Sequence, residues 1–213
     1  MINQAAPGPA ASYLPVVKTP CQPSLFEAPA PTPDLPEGMT YAPELLSPDD
    51  ERRLVAEIEG LPFKPFEFRG YLGNRRVVSF GWRYRFDGSG LGRADEIPGF
   101  LVELRDSAAA FGGIDPEDLQ HALVTEYAPG AAIGWHRDRP EFGRVVGVSL
   151  VSPCRFRLRR RTASGFERKA FTAEPRSAYL LSGPARREWE HSIPAVEALR
   201  YSVTFREVTA APG

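Results

Sequence analysis

HALVTEYAPGAAIGWHRD, residues 121–138, contains two runs with strand character, near 120–127 and 132–137, separated by a Pro129-Gly130 turn. The second run ends in His136-Arg137-Asp138. Side chains two apart on a strand point the same way, so His136 and Asp138 would present an imidazole and a carboxylate side by side. A second histidine from a neighbouring strand would complete two imidazoles and one carboxylate, a set that binds Fe(II) on one face and leaves positions open. Taken alone, His-x-Asp is better explained as an exposed charged turn.

Short strands continue past this point, at about 145–151, 154–160, 166–171, 178–181 and 199–206, with turns at Ser164-Gly165 and Ser182-Gly183-Pro184. Many short strands at this spacing predict a double-sheet jelly roll over residues 119–208. Two helices are expected before it. Ser47 is an N-cap followed by Pro48, Asp49 and Asp50, and Leu54, Val55, Ile58 and Leu61 then recur at helical spacing up to Gly60 and beyond. FLVELRDSAAAF (100–111) carries Leu101, Leu104, Ala108 and Phe111 and is stopped by Gly112-Gly113. The expected class is therefore α+β: a jelly-roll, or double-stranded β-helix, core with N-terminal helices packed on it. Residues 39–118 and 119–208 are expected to form one integrated domain.

Residues 1–38 hold nine of the 22 prolines, many spaced by alanine. Such a segment cannot continue a helix and buries little, so a flexible arm is expected there. The rest of the 213-residue chain is long enough for one domain with a real core. Two cysteines, Cys21 and Cys154, imply no disulfide framework. No apolar stretch is long enough to span a membrane, and the N-terminus lacks the basic-then-apolar pattern of a secretion signal. A cytoplasmic monomer is the default expectation.

The net charge of −1 conceals an asymmetry. Residues 1–120 carry 11 Lys+Arg against 18 Asp+Glu, whereas residues 121–206 carry 15 against 8. A basic half can attract anions, nucleic acid or small dicarboxylates among them, although a charged surface distributed by chance gives the same count. In CRFRLRRR (154–161), Arg155, Arg157, Arg159 and Arg161 share one strand face, opposite Phe156 and Leu158. That face would serve equally as a phosphate track or as the solvated side of a sheet.

The distal His191 lies 55 residues after His136 and is followed by LRYSVTFR (199–206). There Tyr201, Val203 and Phe205 form a core-like face, while Arg200, Ser202, Thr204 and Arg206 form the other. No acid alternates with the two arginines. A bound dicarboxylate would satisfy both guanidiniums, and so would solvent at a sheet edge.

TEYAPGAAIGWHRD, EHSIP (190–194) and RYSVTFR (200–206), in that order, resemble the AlkB family of Fe(II)- and 2-oxoglutarate-dependent dioxygenases over about residues 40–207. The resemblance implies that His136, Asp138 and His191 ligate Fe(II). Arg200 would then meet the distal carboxylate of 2-oxoglutarate, Arg206 would sit near its iron-chelating end, and Tyr127 would donate a hydrogen bond to it. Thr125 and Ser202 stand where the family often has asparagine, and both keep hydrogen-bonding capacity on a shorter side chain. Pro140 stands where nucleic-acid-repairing members often carry a base-contacting acid, and Glu141 is displaced by one. His121 has no ligand role. The cofactors implied are Fe(II), 2-oxoglutarate and O2.

The substrate implied first is an N-alkylated base in DNA or RNA, with alkylation damage reversed by oxidative demethylation; the alternative is the same chemistry on a methylated protein, a lipid or a small molecule. RRVVSFGWRYRF (75–86) reads as one strand at the position of a substrate lid. Val78, Phe80, Trp82, Tyr84 and Phe86 would line one side, and Ser79, Gly81, Arg83 and Arg85 the other. Arg75, Arg76, Phe80, Trp82, Arg83 and Glu141 are the expected substrate contacts, the basic groups for phosphates and the aromatics for a base.

Overall fold

The computed structural model describes residues 33–68, 71–85 and 90–209. Ser47 caps the first helix, α1 (Pro48–Glu59), in a reciprocal capping box with Asp50. The second helix, α2 (Gly99–Gly112), ends on Gly113, whose φ of 58° is the left-handed cap conformation. Both helices lie where the apolar spacing places them, and Leu54, Ile58, Leu101, Leu104 and Ala108 are buried.

Thirteen strands are described. They are β1 (Met39–Ala42), β2 (Lys64–Phe68), β3 (Tyr71–Phe80), β4 (Trp82–Arg85), β5 (Gly90–Arg93), β6 (His121–Tyr127), β7 (Ile133–His136), β8 (Phe142–Leu150), β9 (Cys154–Thr162), β10 (Gly165–Ala173), β11 (Ala178–Leu181), β12 (Glu190–Ile193) and β13 (Arg200–Val208). A short helix, α3 (Gly183–Arg187), links β11 to β12. Seven strands form a major sheet in the order β1-β11-β8-β13-β6-β3-β2, and four form a minor sheet in the order β10-β9-β12-β7. β4 and β5 pair as a separate hairpin.

Strand alternation divides the core in two. Val124, Val146, Val148, Tyr201, Val203 and Phe205 turn one face of the major sheet toward the residues of α1 and α2. Tyr127, Val145, Tyr179 and Leu181 turn the other face toward Phe156, Leu158 and Ile193 of the minor sheet. The space between the sheets receives the inward polar residues of β6, β7, β12 and β13. This is the α+β jelly roll expected from the strand spacing.

Three readings change. Residues 75–86 are not one strand. Gly81 adopts a φ of 71°, and a Cβ there would lie 2.0 Å from the Gln120 carbonyl oxygen. The bend separates β3, a major-sheet strand, from β4, so the alternation read through Phe86 breaks at Gly81. Phe86 itself is outside the described residues. Strands β1, β2, β5 and β12 are additional; each is only four or five residues long and lacks turn signals on both sides. Finally, contacts begin before Met39: Leu35 packs against the inter-sheet core, and Asp34 meets Lys169 at 2.5 Å. The remainder of the expected arm, residues 1–32, lies outside the described residues.

Candidate active site

The antiparallel register of β12 on β7 places His191 opposite His136, with ring centroids 4.2 Å apart. Asp138 follows β7 and turns to the same side, its Oδ2 3.8 Å from His191 Nε2. Arg206 of β13 donates from Nε to Asp138 Oδ1 at 2.9 Å. Behind it, His121 is buried, stacks on Phe142 at 4.8 Å, and faces Arg206 Nη1 at 3.4 Å. The structure thus brings together the three residues expected as ligands. Among the described residues no three His, Cys, Asp or Glu side chains stand at metal-bond geometry, and Asp138 is engaged with Arg206.

The protonation states of His191 and Asp138 suit a divalent cation. Burial, followed by the neighbouring His136, pushes the His191 pKa down to about 3, so its ring is neutral at physiological pH. His136 Nδ1 lies 2.9 Å from the Gly134 carbonyl, which can only accept. In the neutral tautomer that this contact selects, Nδ1 carries the proton and Nε2 the lone pair. Burial alone would raise the Asp138 pKa, but Arg206 leads the surrounding positive charges in holding it well below the usual carboxylate range. A neutral His191 and an ionised Asp138, beside a His136 ring whose Nδ1 is tied to the Gly134 carbonyl, are a donor set suited to Fe(II).

One strand over, β13 pairs with β6 so that Arg200 faces Tyr127 and Ser202 faces Thr125. All four are buried on the inward side. Arg200 is 1% exposed, donates from Nη2 to Ser149 Oγ at 2.9 Å, and lies 4.8 Å over the Tyr127 ring. Its Nε and Nη1 have no hydrogen-bond partner. A guanidinium so buried, with two donors unused, is costly unless an anion meets it. The cradle therefore fits a carboxylate end of a dicarboxylate such as 2-oxoglutarate.

Sequence reasoning missed several residues here. Ser149 holds Arg200, while Gly147 leaves the room that Tyr179 fills: a Cβ at Gly147 would lie 2.2 Å from the Tyr179 ring. Period-two alternation along β8 could have placed Gly147 and Ser149 inward. Arg186 of α3 had no sequence signal. Its guanidinium donates to four carbonyls of the turn after β7: Asp138 at 3.2 Å, Arg139 at 2.5 Å, Phe142 at 2.6 Å and Gly143 at 2.9 Å.

The expected substrate contacts disperse. Arg75 lies on the Tyr127 side of β3, 3.8 Å over Phe66, and donates to the Ala132 carbonyl at 3.2 Å. Arg76, one residue on, faces the opposite side and makes a bidentate pair with Glu126 at 2.7 and 2.6 Å. Phe80 is buried in the helix-side core. Trp82 is buried with Leu91 and Phe142, beneath Arg93 at 4.3 Å. Arg76 and Phe80 thus face the helix side, because the alternation of β3 turns them from the inter-sheet space, while Trp82 lies past the bend at Gly81 on the separate hairpin. Arg83 is exposed. Glu141 is half-buried, and its Oε2 is enclosed without a hydrogen-bond partner. Tyr84, also from the β4–β5 hairpin, packs under Arg139 at 4.1 Å and accepts a hydrogen bond from it.

The 2OG-Fe(II) oxygenase superfamily model matches residues 38–206. An Arabidopsis thaliana protein described as an alkylated DNA repair protein ALKBH8 homolog is 25% identical over 183 residues, 74% of this chain and 51% of that one. The Danio rerio probable RNA/DNA demethylase ALKBH6 is 28% identical over 155 residues, 70% of this chain and 61% of that one. The chain thus spans only about half to three-fifths of these relatives' length. OsALKBH1 shares the fold with a TM-score of 0.58 at 18% identity, covering 81% of this chain and 99% of that one. A 2OG-Fe(II) oxygenase family oxidoreductase from Burkholderia pseudomallei does so with a TM-score of 0.58 at 15% identity, covering 80% and 85%. A match over this much of the chain, around a pocket that suits an anion and a donor set that suits iron, makes the chain a member of the 2OG-Fe(II) oxygenase superfamily: an AlkB-like 2-oxoglutarate-dependent dioxygenase, with Fe(II), 2-oxoglutarate and O2 as its cofactors.

Proposed function

We propose that the protein oxidatively dealkylates N-alkylated bases in DNA or RNA, with His136, Asp138 and His191 holding Fe(II). The observation that carries the substrate reading is the contact of the β4–β5 hairpin with the turn after Asp138, where Arg139 lies over Tyr84. An aromatic ring and a guanidinium beside the iron-holding turn suit an extruded base and its phosphate. Glu141, with an enclosed oxygen that has no partner, offers an acceptor for an exocyclic amine three residues from Asp138. The relatives named for action on RNA or DNA support the same reading.

In the reaction, 2-oxoglutarate, O2 and an N-methyl group give succinate, CO2 and an N-hydroxymethyl group, which then releases formaldehyde and leaves the N–H base. The bound iron supplies the oxidising chemistry. The chain does the rest. Arg200 anchors one carboxylate of 2-oxoglutarate, and Ser149 fixes the guanidinium plane. Arg206 holds the Asp138 carboxylate in its ionised form and fixes one of its oxygens. Burial keeps His191 neutral, so its lone pair stays available. The apolar wall of Phe156 and Leu158 lies behind His191 and excludes water from that side.

The test is turnover with Fe(II) and 2-oxoglutarate on N-methylated oligodeoxynucleotides, oligoribonucleotides and methylated peptides, read as succinate and formaldehyde. Formaldehyde in step with succinate on a nucleic acid supports the proposal. Coupled turnover on peptides alone would refute the substrate and keep the enzyme class.

A further inference from the structure

The minor sheet has a second, outward face that the active site does not use. On β9, Phe156 and Leu158 point inward, so Arg155, Arg157, Arg159 and Arg161 point out. On β7, His136 points inward, so Trp135 and Arg137 point out. β10 adds Phe166 and Arg168. These side chains interleave. Trp135 lies between Arg157 at 5.1 Å and Arg159 at 4.4 Å, and Phe166 lies between Arg159 at 4.6 Å and Arg168 at 5.6 Å. The result is a ladder of rings and guanidiniums drawn from β7, β9 and β10, with β12 adding Ser192 and Glu190 beneath Arg157 and Arg159.

The charge of this face is largely uncompensated. Arg159 pairs with Glu190 at 2.5 Å. Among the described residues, no carboxylate stands within ion-pair distance of Arg137, Arg155, Arg157, Arg161 or Arg168, whereas the inward-side Arg160 is paired with both Glu167 and Glu188. Phe166 is 37% exposed and lies between the Arg159 and Arg168 guanidiniums. A purely solvated basic face needs no such ring. Arg137 sits between His136 and Asp138 in sequence, so the ladder begins at the back of the iron-holding strand.

We propose that this outer face is a docking surface for single-stranded nucleic acid. The guanidiniums would take phosphates, and the exposed ring edge and stacked guanidinium planes would take base faces. Three strand spacings from β7 to β10 span about 14 Å, and the nine residues of β9 extend the face about 30 Å along the strand, so the five arginines without a carboxylate partner can each meet a separate phosphate. The surface would hold flanking strand while a target nucleotide occupies the inter-sheet site. This use rests on the nucleic-acid reading of the substrate, but the binding itself does not require turnover.

The test compares the full chain with an R155S/R161S/R168S variant and with Phe166→Ala, none of which touches the inter-sheet site. Fluorescence anisotropy on an unmodified 20-nucleotide DNA or RNA strand gives affinity against salt. Five phosphate contacts predict a log–log slope near about −3.5 for the wild type, and two predict about −1.4 for the triple variant. At about 0.1 M salt that difference is roughly a hundredfold in affinity. Conversion of 2-oxoglutarate to succinate without substrate should be unchanged. Phe166→Ala should weaken binding several-fold at unchanged slope, the signature of lost stacking. An unaltered slope in the triple variant overturns the proposal. So does heparin, which has no bases, displacing wild type and Phe166→Ala equally well. Loss of strand binding without any demethylation in the wild type would keep the docking surface and refute the substrate reading. Demethylation of a free nucleoside with no strand binding would do the reverse.

Discussion

Replacing Arg200 by methionine should make the ligand-free protein more stable while destroying its use of 2-oxoglutarate. Arg200 is 1% exposed, and two of its nitrogens have no hydrogen-bond partner. Each enclosed, unsatisfied donor costs about 1–3 kcal/mol. Methionine removes both at similar length, and against this Ser149 loses one hydrogen bond worth about 1 kcal/mol. The net expectation is a gain of about 1–5 kcal/mol. At about 2–4 °C per kcal/mol for a domain of this size, Tm should rise by roughly 2–20 °C. In the wild type with Fe(II) under nitrogen, 2-oxoglutarate at about 100 times its Kd should add about 2.7 kcal/mol. That ligand-induced shift should vanish in Arg200→Met. Breaking a buried charge pair costs about 2–5 kcal/mol, so KM for 2-oxoglutarate should rise by roughly 30-fold to several thousandfold. Thermal melting with and without 2-oxoglutarate, together with succinate formation, reads both halves. A variant that melts lower than wild type yet keeps the 2-oxoglutarate shift would show that Arg200 is a satisfied structural arginine.

Arg186→Lys keeps the charge but replaces a fork that serves four carbonyls with one compact ammonium. Loosening the turn that carries Asp138 should weaken Fe(II) binding about 10- to 100-fold, measured by metal titration; wild-type affinity would exclude a positioning role. Gly147→Ala places a Cβ 2.2 Å from the Tyr179 ring, which must shift within the pocket beside Arg200. A roughly tenfold rise in the KM for 2-oxoglutarate and a stability loss of about 1–3 kcal/mol are expected, both relieved by adding Tyr179→Ala. His121 is kept unprotonated by burial, reinforced by Arg206 and only partly offset by Asp138, so its pKa lies well below the ordinary value of 6.5. Below that pH the unfolded chain binds a proton that the native state refuses. Stability should therefore be flat above about pH 6.5 and fall below it, by up to about 1.4 kcal/mol per pH unit from this residue. Denaturant unfolding of wild type and His121→Phe at several pH values should show a shallower acid slope in the variant; identical slopes would contradict the burial argument.

The sequence by itself determined the features that depend on local periodicity and on end chemistry. Ser47 and Asp50 stop the unpaired N–H groups of α1, and Gly113 supplies the left-handed residue that ends α2. Alternation along β13 sets Tyr201, Val203 and Phe205 on the opposite side from Arg200, Ser202 and Arg206 whatever the sheet order. The same rule, read on to residue 138, expects His136 and Asp138 together, and the chain that follows β7 turns Asp138 to that side. Tertiary structure decided everything that needs a partner distant in sequence. No acid alternates with the arginines of β13, yet Asp138 comes from 68 residues away to pair with Arg206, while among the described residues only the Ser149 hydroxyl, and no carboxylate, comes to Arg200. That inequality, which separates an ion pair from an open anion site, is invisible in a strand pattern. The lid reading failed for the same reason. Alternation through residues 75–86 assumes a continuous strand, but the chain bends at Gly81 because the Gln120 backbone passes too close for any side chain, and only the packed fold brings Gln120 there.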